Sequence, residues 1–582
     1  VENTVKRRSI LLAGIGYLFA ALLHIPDNIF RYAFDKNAPV QLLTLISLAV
    51  AFLVAIIARP SRFFFDKKLT YAALFLILAA TISLVQSGNL VGALYGDSGR
   101  FVGLLSLIAL LIVSAFHGQF SLRSFRELLW LYLLSIELVS ILGIAQHFDL
   151  LEFPGAHGVA STFGNTDFYA AYLGTAFPLL VFLALKAGPR MRLLLGAVAL
   201  LNIFALYCAG PLQAWVDLAI AVVGVAIYRV RRYIKRFEWT LNARTFIGTF
   251  AIIIWAEFIF LMPFLGSFVP VLGNDIQVKI RGNFWIAGIR QFFDHPVFGV
   301  GPDQYGNYYE QYRTIDDLKA YPLILSNDAH ASSVQTLATL GIVGTLGFII
   351  LLAFLVRALL ILWDTRKIDR ASTYFLGLFL FIYLTNSFIS PITLSHKYIF
   401  WAVAGFIIGQ VYRTRKQSQA PRLLIRTSAV VLVIALLPAA FAFAQGQLNY
   451  LKSVDKYGRD NNAIIDYTPS PVLPCNMYFD AEFTILEKQG NAAVLDLANK
   501  ELQGNTRCVA ANIVIAKYLL NIDDMASMKS YAYNLHEIAP GRGKSIELAM
   551  YYANRTQDAT LFASIQKVMS ELKLVYIPGA QG

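Results

Sequence analysis

Charge and cysteine are what this sequence has least of. Only 15% of its 582 residues are charged, and three are cysteines. A water-soluble protein carries about a quarter of its residues as Asp, Glu, Lys and Arg, so a soluble multidomain enzyme is excluded at the outset. Three cysteines cannot build a disulfide framework or a cysteine-rich metal centre, and any covalent staple is limited to one pair. Histidine is also sparse, at eight residues. The four that fall in the longer loops, His147, His157, His295 and His330, show none of the ligand spacing that a metal site requires.

What fills the chain instead is apolar side chain, 57% of the residues, with 14% aromatic. Lipid is therefore the solvent to which most of the sequence is matched. Stretches long enough to span a bilayer occur at 10–25, 40–58, 69–85, 101–116, 128–146, 168–185, 193–209, 212–228, 246–270, 336–356, 373–390, 397–411 and 427–444. The eighth is split from the seventh only by the turn Cys208-Ala-Gly-Pro211. The expected fold is an all-α polytopic membrane protein of about 12–13 transmembrane helices.

The net charge of +13 is the kind of excess that could mark a nucleic-acid binder, but its distribution points elsewhere. About 27 Lys and Arg lie at the N-terminus and on alternate interspan segments, including 59–68, 186–192, 229–237 and 412–417. The other interspan segments hold about 9. By the positive-inside rule the N-terminus and the basic segments are cytoplasmic, and no nucleic-acid partner is implied. The first span follows Lys6-Arg7-Arg8 without a small-residue cleavage site, which reads as a retained helix. An odd number of spans then places residues 446–582 outside. That tail holds 13 basic and 14 acidic residues, and its apolar spacing predicts a small helical domain. Its paired helices resemble tetratricopeptide repeats, although no clean 34-residue period is visible in the sequence. The organisation expected is a membrane domain, 1–445, and an outer helical tail, 446–582, suited to docking a protein partner. Cys475 and Cys508 both lie in the tail, where one disulfide or two buried thiols are equally compatible with the sequence.

Chemistry is best sought outside the membrane. Glu137, Asp217 and Glu257 fall inside spans, but they are too few for a proton relay, and helix–helix hydrogen bonding is the plainer role. A transporter built from two half-repeats is the competing class, and no such repeat is visible. Segments 147–167 and 271–335 are the long outer loops, and the second has the aromatics and Gly-Pro turns of an ordered lid. A helix is expected over about 281–293, stopped by His295-Pro296. Arg281, near its start, and Arg290 are placed to bind phosphate. His330 directly precedes a span and is suited to act as a general base on a hydroxyl, with Asp328 beside it.

Three segments in order then carry a family resemblance. Ser161–Leu173 (STFGNTDFYAAYL), Arg281–Tyr305 (RGNFWIAGIRQFFDHPVFGVGPDQY) and Asp328–Gly344 (DAHASSVQTLATLGIVG) resemble the O-antigen ligase and O-antigen polymerase superfamily, which includes bacterial protein O-oligosaccharyltransferases. The resemblance implies a GT-C-like membrane glycosyltransferase of the bacterial inner membrane, acting at the outer face. Its donor would be a polyprenyl-pyrophosphate-linked glycan and its acceptor a hydroxyl on lipid, glycan or protein, with no metal or other cofactor. It assigns pyrophosphate binding to Arg281 and proton abstraction to His330. Asn165, Asp167, Asp303, Tyr305 and Gln335 are candidates for sugar contacts or loop bracing, and Arg100 for a further phosphate contact. The sequence departs from the family pattern at Ala331, where asparagine commonly follows the histidine. It also lacks the mid-chain arginine, near which Gln213 stands. Since a neutral amide cannot replace that charge, Arg100 or Arg290 is the expected substitute, or else the substrate differs. Ligase or oligosaccharyltransferase is preferred over polymerase because the outer tail could recruit an acceptor.

Overall fold

The computed structural model describes residues 2–23, 37–58, 66–97, 100–153, 156, 158–230, 240–261, 276–322, 324–412, 422–459 and 491–574. Cys475, His157 and most of the basic segments 59–68, 229–237 and 412–417 lie outside them. The described residues contain no strand, and ten of their helices are long and apolar enough to cross a membrane. The protein is an all-α polytopic membrane protein. The ten include Ala38–Ala58, Leu122–His147, Pro189–Ala209 and Leu212–Val230, the last two separated at Gly210, whose φ of 84° only glycine adopts freely. The three further apolar stretches of the sequence are also helical, in Glu2–Leu22, Leu104–His117 and Leu394–Tyr412.

The chain divides into two compact units. The first comprises 1–78, 99–259 and 346–444, and one chain of its buried polar side chains is paired across helices, the arrangement that lipid favours. Asp217 accepts from Asn386 (2.9 Å), Asn386 accepts from Gln213 (2.8 Å), and Gln213 accepts from Ser390 (2.9 Å). The helix–helix role expected of Asp217 is therefore the one it plays. Gly174 lies so close to Asp217 that a Cβ there would overlap the carboxylate at 2.2 Å.

The second unit comprises 79–98, 260–345 and 445–582. Its centre is an exchange of backbone hydrogen bonds. The long helix Ser332–Thr365 is broken at Gly341, whose φ of 62° and ψ of −166° are not helical. A break of this kind orphans carbonyls before it and amides after it. The turn 296–301 satisfies them: Val300 and Gly301 donate to the carbonyls of Ala338 and Thr339, while Ile342 and Val343 donate to those of Pro296 and Val297. The backbones approach too closely for side chains. A Cβ on Gly341 would sit 2.4 Å from the Val297 carbonyl, and one on Gly299 would sit 2.3 Å from that of Thr339. Ser83 and Asn89 brace the same region, donating to the Thr339 carbonyl (2.7 Å) and to Gln304 (2.9 Å).

In the tail the described residues are the end of the helix Arg422–Arg459, which runs across the expected boundary at 445/446, and five further helices, Asn491–Gly504, Val509–Asn521, Met525–Ile538, Gly543–Thr556 and Ala559–Leu572, each of the five packed on the next. Two helix pairs repeat at 34 residues: Val509 and Gly543 begin the first helices, Met525 and Ala559 the second. That spacing is the tetratricopeptide period. It was hidden because few equivalent positions keep the same residue, Tyr518 and Tyr552, Asp524 and Asp558, Ser530 and Ser564, and Glu537 and Glu571 among them. Cys508 is disulfide-bonded and Cys208 is free.

Candidate functional site

In the second unit the helix Ile276–Asp294 begins five residues earlier than the sequence suggested. The apolar spacing of Ile276, Ile280 and Phe284 carries the helix upstream. Arg281 consequently lies in its second turn rather than at its N-terminus, away from the helix-end amides. One turn on, Phe284 is buried and packs on the His330 ring, with centroids 4.9 Å apart. Residues three apart are neighbours on a helix surface, and Arg281 stands one turn before the residue that meets His330. Gly288 continues this contact: a Cβ there would press on Val334 at 2.5 Å.

His330 sits in a tight local network. Its backbone is left-handed, with φ of 55°, and is held so because its N–H donates to Asp328 Oδ1 at 2.7 Å. The ring Nδ1 lies 3.0 Å from the Asp328 carbonyl oxygen, which also accepts from the Ser326 hydroxyl at 2.6 Å. A carbonyl oxygen only accepts, so this contact fixes the proton on Nδ1 and leaves the lone pair on Nε2. Gln335 accepts from the Ala329 amide at 2.8 Å and closes the loop onto the following helix. Asp328 is thus the residue that sets both backbone and tautomer.

Several candidates make bonds that brace the structure around them. Tyr305 is fully buried and donates to the Phe284 carbonyl at 2.8 Å, and burial pushes its phenol well above the usual range. Asp303 accepts from the Asp97 amide at 2.8 Å. Arg290, exposed, donates to the Tyr312 carbonyl at 3.4 Å. In the first unit Asn165 caps the helix Thr166–Gly174 by accepting from the Asp167 amide, and both ends of the Gln213 amide are taken by Asn386 and Ser390. Arg100 also belongs to that unit.

Asp317 carries a role that nothing in the sequence singled out. It is buried and accepts from Asn283 (3.0 Å), Tyr309 (3.1 Å) and Arg313 (2.6 Å), tying three segments of the long loop together. Arg313 spends its remaining donors on the carbonyls of Tyr321 and Pro322. The signal available was the four-residue spacing of Arg313 and Asp317, which in sequence cannot be told from a solvated surface pair. Among the described residues no three His, Cys, Asp or Glu side chains gather closely enough to hold a metal ion.

Residues 165–349 match the family model described as O-antigen ligase. The match spans the His330 network, the Arg281 helix and the helix opening at Asn165, and it supports the O-antigen ligase superfamily. No curated protein matches the chain.

Proposed function

Taking the O-antigen ligase match as premise, we propose that this membrane glycosyltransferase moves a glycan from a polyprenyl pyrophosphate carrier to an acceptor hydroxyl at the outer face of the bacterial inner membrane. The observation that carries the reading is the His330 network, which holds an imidazole in the tautomer that accepts a proton, beside the helix that bears Arg281. His330 Nε2 takes the acceptor proton as the hydroxyl oxygen attacks the anomeric carbon. The bond from that carbon to the pyrophosphate oxygen breaks, and its electron pair leaves on the pyrophosphate. Arg281 receives this charge, a guanidinium being well matched to it. Attack opposite the leaving group inverts the configuration at carbon. The scheme calls for no metal, because arginine takes the charge-neutralising role.

The orientation belongs to the same proposal: cytoplasmic N-terminus, outer tail. Two observations support it, the concentration of Lys and Arg on alternate segments and the disulfide at Cys508, a bond that persists in oxidising compartments. The test incubates purified protein with polyprenyl-pyrophosphate glycan and lipid, glycan or protein acceptors. Transfer lost in His330→Ala with folding intact supports the reading. No donor consumption by wild type with any acceptor contradicts it. The acceptor that works separates ligase and oligosaccharyltransferase from polymerase, which would extend a second donor-bound glycan.

A further inference from the structure

The short helix Tyr305–Tyr312 has two faces with different partners. On one, Tyr305 and Tyr309 turn toward the candidate site. Tyr305 is bonded to the Phe284 carbonyl, and Tyr309 is bonded to Asp317 and lies edge-on to Phe284 with centroids 5.5 Å apart. Phe284 in turn packs on His330. On the other, Asn307, Tyr308, Glu310 and Gln311 meet the tail. Arg507 stacks over the Tyr308 ring at 3.9 Å, donates from Nε to the Asn307 carbonyl at 3.3 Å and bonds Gln311. Asn505 donates to Asn307 at 3.2 Å, and Arg542 bridges to Glu310 at 3.0 Å. Arg507 and Arg542 stand in the turns that open the two successive tail repeats.

Eight residues are far below the length at which a helix holds itself in water. Its stability must come from what grips it, and the tail supplies part of that grip. We infer that the tail repeats are a clasp on this helix and that Arg507 is a positioning residue for the reaction, acting through Tyr305, Tyr309 and Phe284 on the setting of His330. The inference rests on the proposed function for its catalytic consequence, but not for the clasp itself. It gives the tail a ligand within its own chain, in addition to any acceptor that docks elsewhere on it. Lysine cannot serve in place of Arg507, because it lacks the planar guanidinium that stacks on Tyr308 while donating in two directions.

The test uses the full-length protein in lipid nanodiscs with Arg507→Ala, Arg507→Lys and Arg542→Ala, and with Arg555→Ala as a tail-surface control. Hydrogen exchange is followed across 305–312, 326–332 and the tail helices, and transfer is measured as kcat and donor KM. Both alanine variants should raise exchange in 305–312 while the tail helices stay protected. Arg507→Ala should lower kcat by ~10-fold with little change in KM, since small misplacements of a reacting group are costly, and Arg507→Lys should recover only part of it. Unchanged protection of 305–312 in both alanine variants would overturn the clasp. Raised exchange with kcat at the wild-type level would overturn the positioning role. A wild type that transfers nothing defeats the glycosyltransferase reading instead, and the exchange measurement still decides the clasp.

Discussion

At the scale of single residues, the account separates groups that meet substrate from groups that hold them. His330→Ala should lower transfer by about 10²–10⁴, the usual worth of a positioned general base, without lowering the unfolding temperature in detergent. Asp317→Ala should do the reverse of a clean catalytic loss. It strands Arg313, which is buried, and breaking a buried pair costs ~3–5 kcal/mol. Thermal unfolding should shift down accordingly, and activity should fall in proportion to folded protein. Glu310 offers a pH test. Burial raises its carboxyl above the ordinary value, and the Arg542 and Arg313 cations only partly offset this. A raised folded pKa means that the folded state binds more protons, so the stability it contributes is present below the unfolded carboxylate pKa and is lost as pH rises through the folded one. The stability gap between Glu310→Gln and wild type should therefore widen in favour of the variant as pH is raised from 4 to 7. A gap independent of pH would contradict that environment.

At the scale of elements, the motif segments are as much scaffold as chemistry. Gly299 and Gly341 stand where two backbones exchange hydrogen bonds across a broken helix, both with positive φ. Alanine at either position adds left-handed strain of about 1–3 kcal/mol to a direct overlap with backbone. Each variant should be destabilised by ~2 kcal/mol or more and should expose 296–301 to hydrogen exchange. This also explains what the sequence could and could not reveal. His330 and Arg281 stand out as candidates because a histidine at a span boundary and an arginine in a long loop are chemically conspicuous in a chain this poor in charge. For Asp303 and Tyr305 loop bracing was one of two readings the sequence offered, but their partners and the hub at Asp317 were not legible, because each bond joins residues 8 to 206 positions apart whose pairing is set only by the folded loop. The tail helices were read correctly from their apolar spacing, while their 34-residue repeat was invisible until helix starts could be compared.

At the scale of the whole molecule, hydropathy alone established the all-α membrane architecture, because the bilayer admits so few solutions. Orientation is a separate matter that charge asymmetry argues and labelling can decide. In a Cys208→Ser background, Lys500→Cys in the tail should react with a membrane-impermeant thiol reagent on intact cells, and Arg123→Cys, exposed at the start of the helix Leu122–His147, should react only after permeabilisation. The opposite pattern would invert the topology and remove the donor's access to the site as proposed. The central claim is that the His330 network and Arg281 form one glycan-transfer site, and a single quantity tests it most directly. That quantity is the rate at which purified protein releases polyprenyl pyrophosphate from its glycan-linked form in the presence of an acceptor, compared among wild type, His330→Ala and Arg281→Ala at equal folded concentration. The account predicts acceptor-dependent release by wild type and its loss by at least ~100-fold in both variants. Release that persists in both would contradict it.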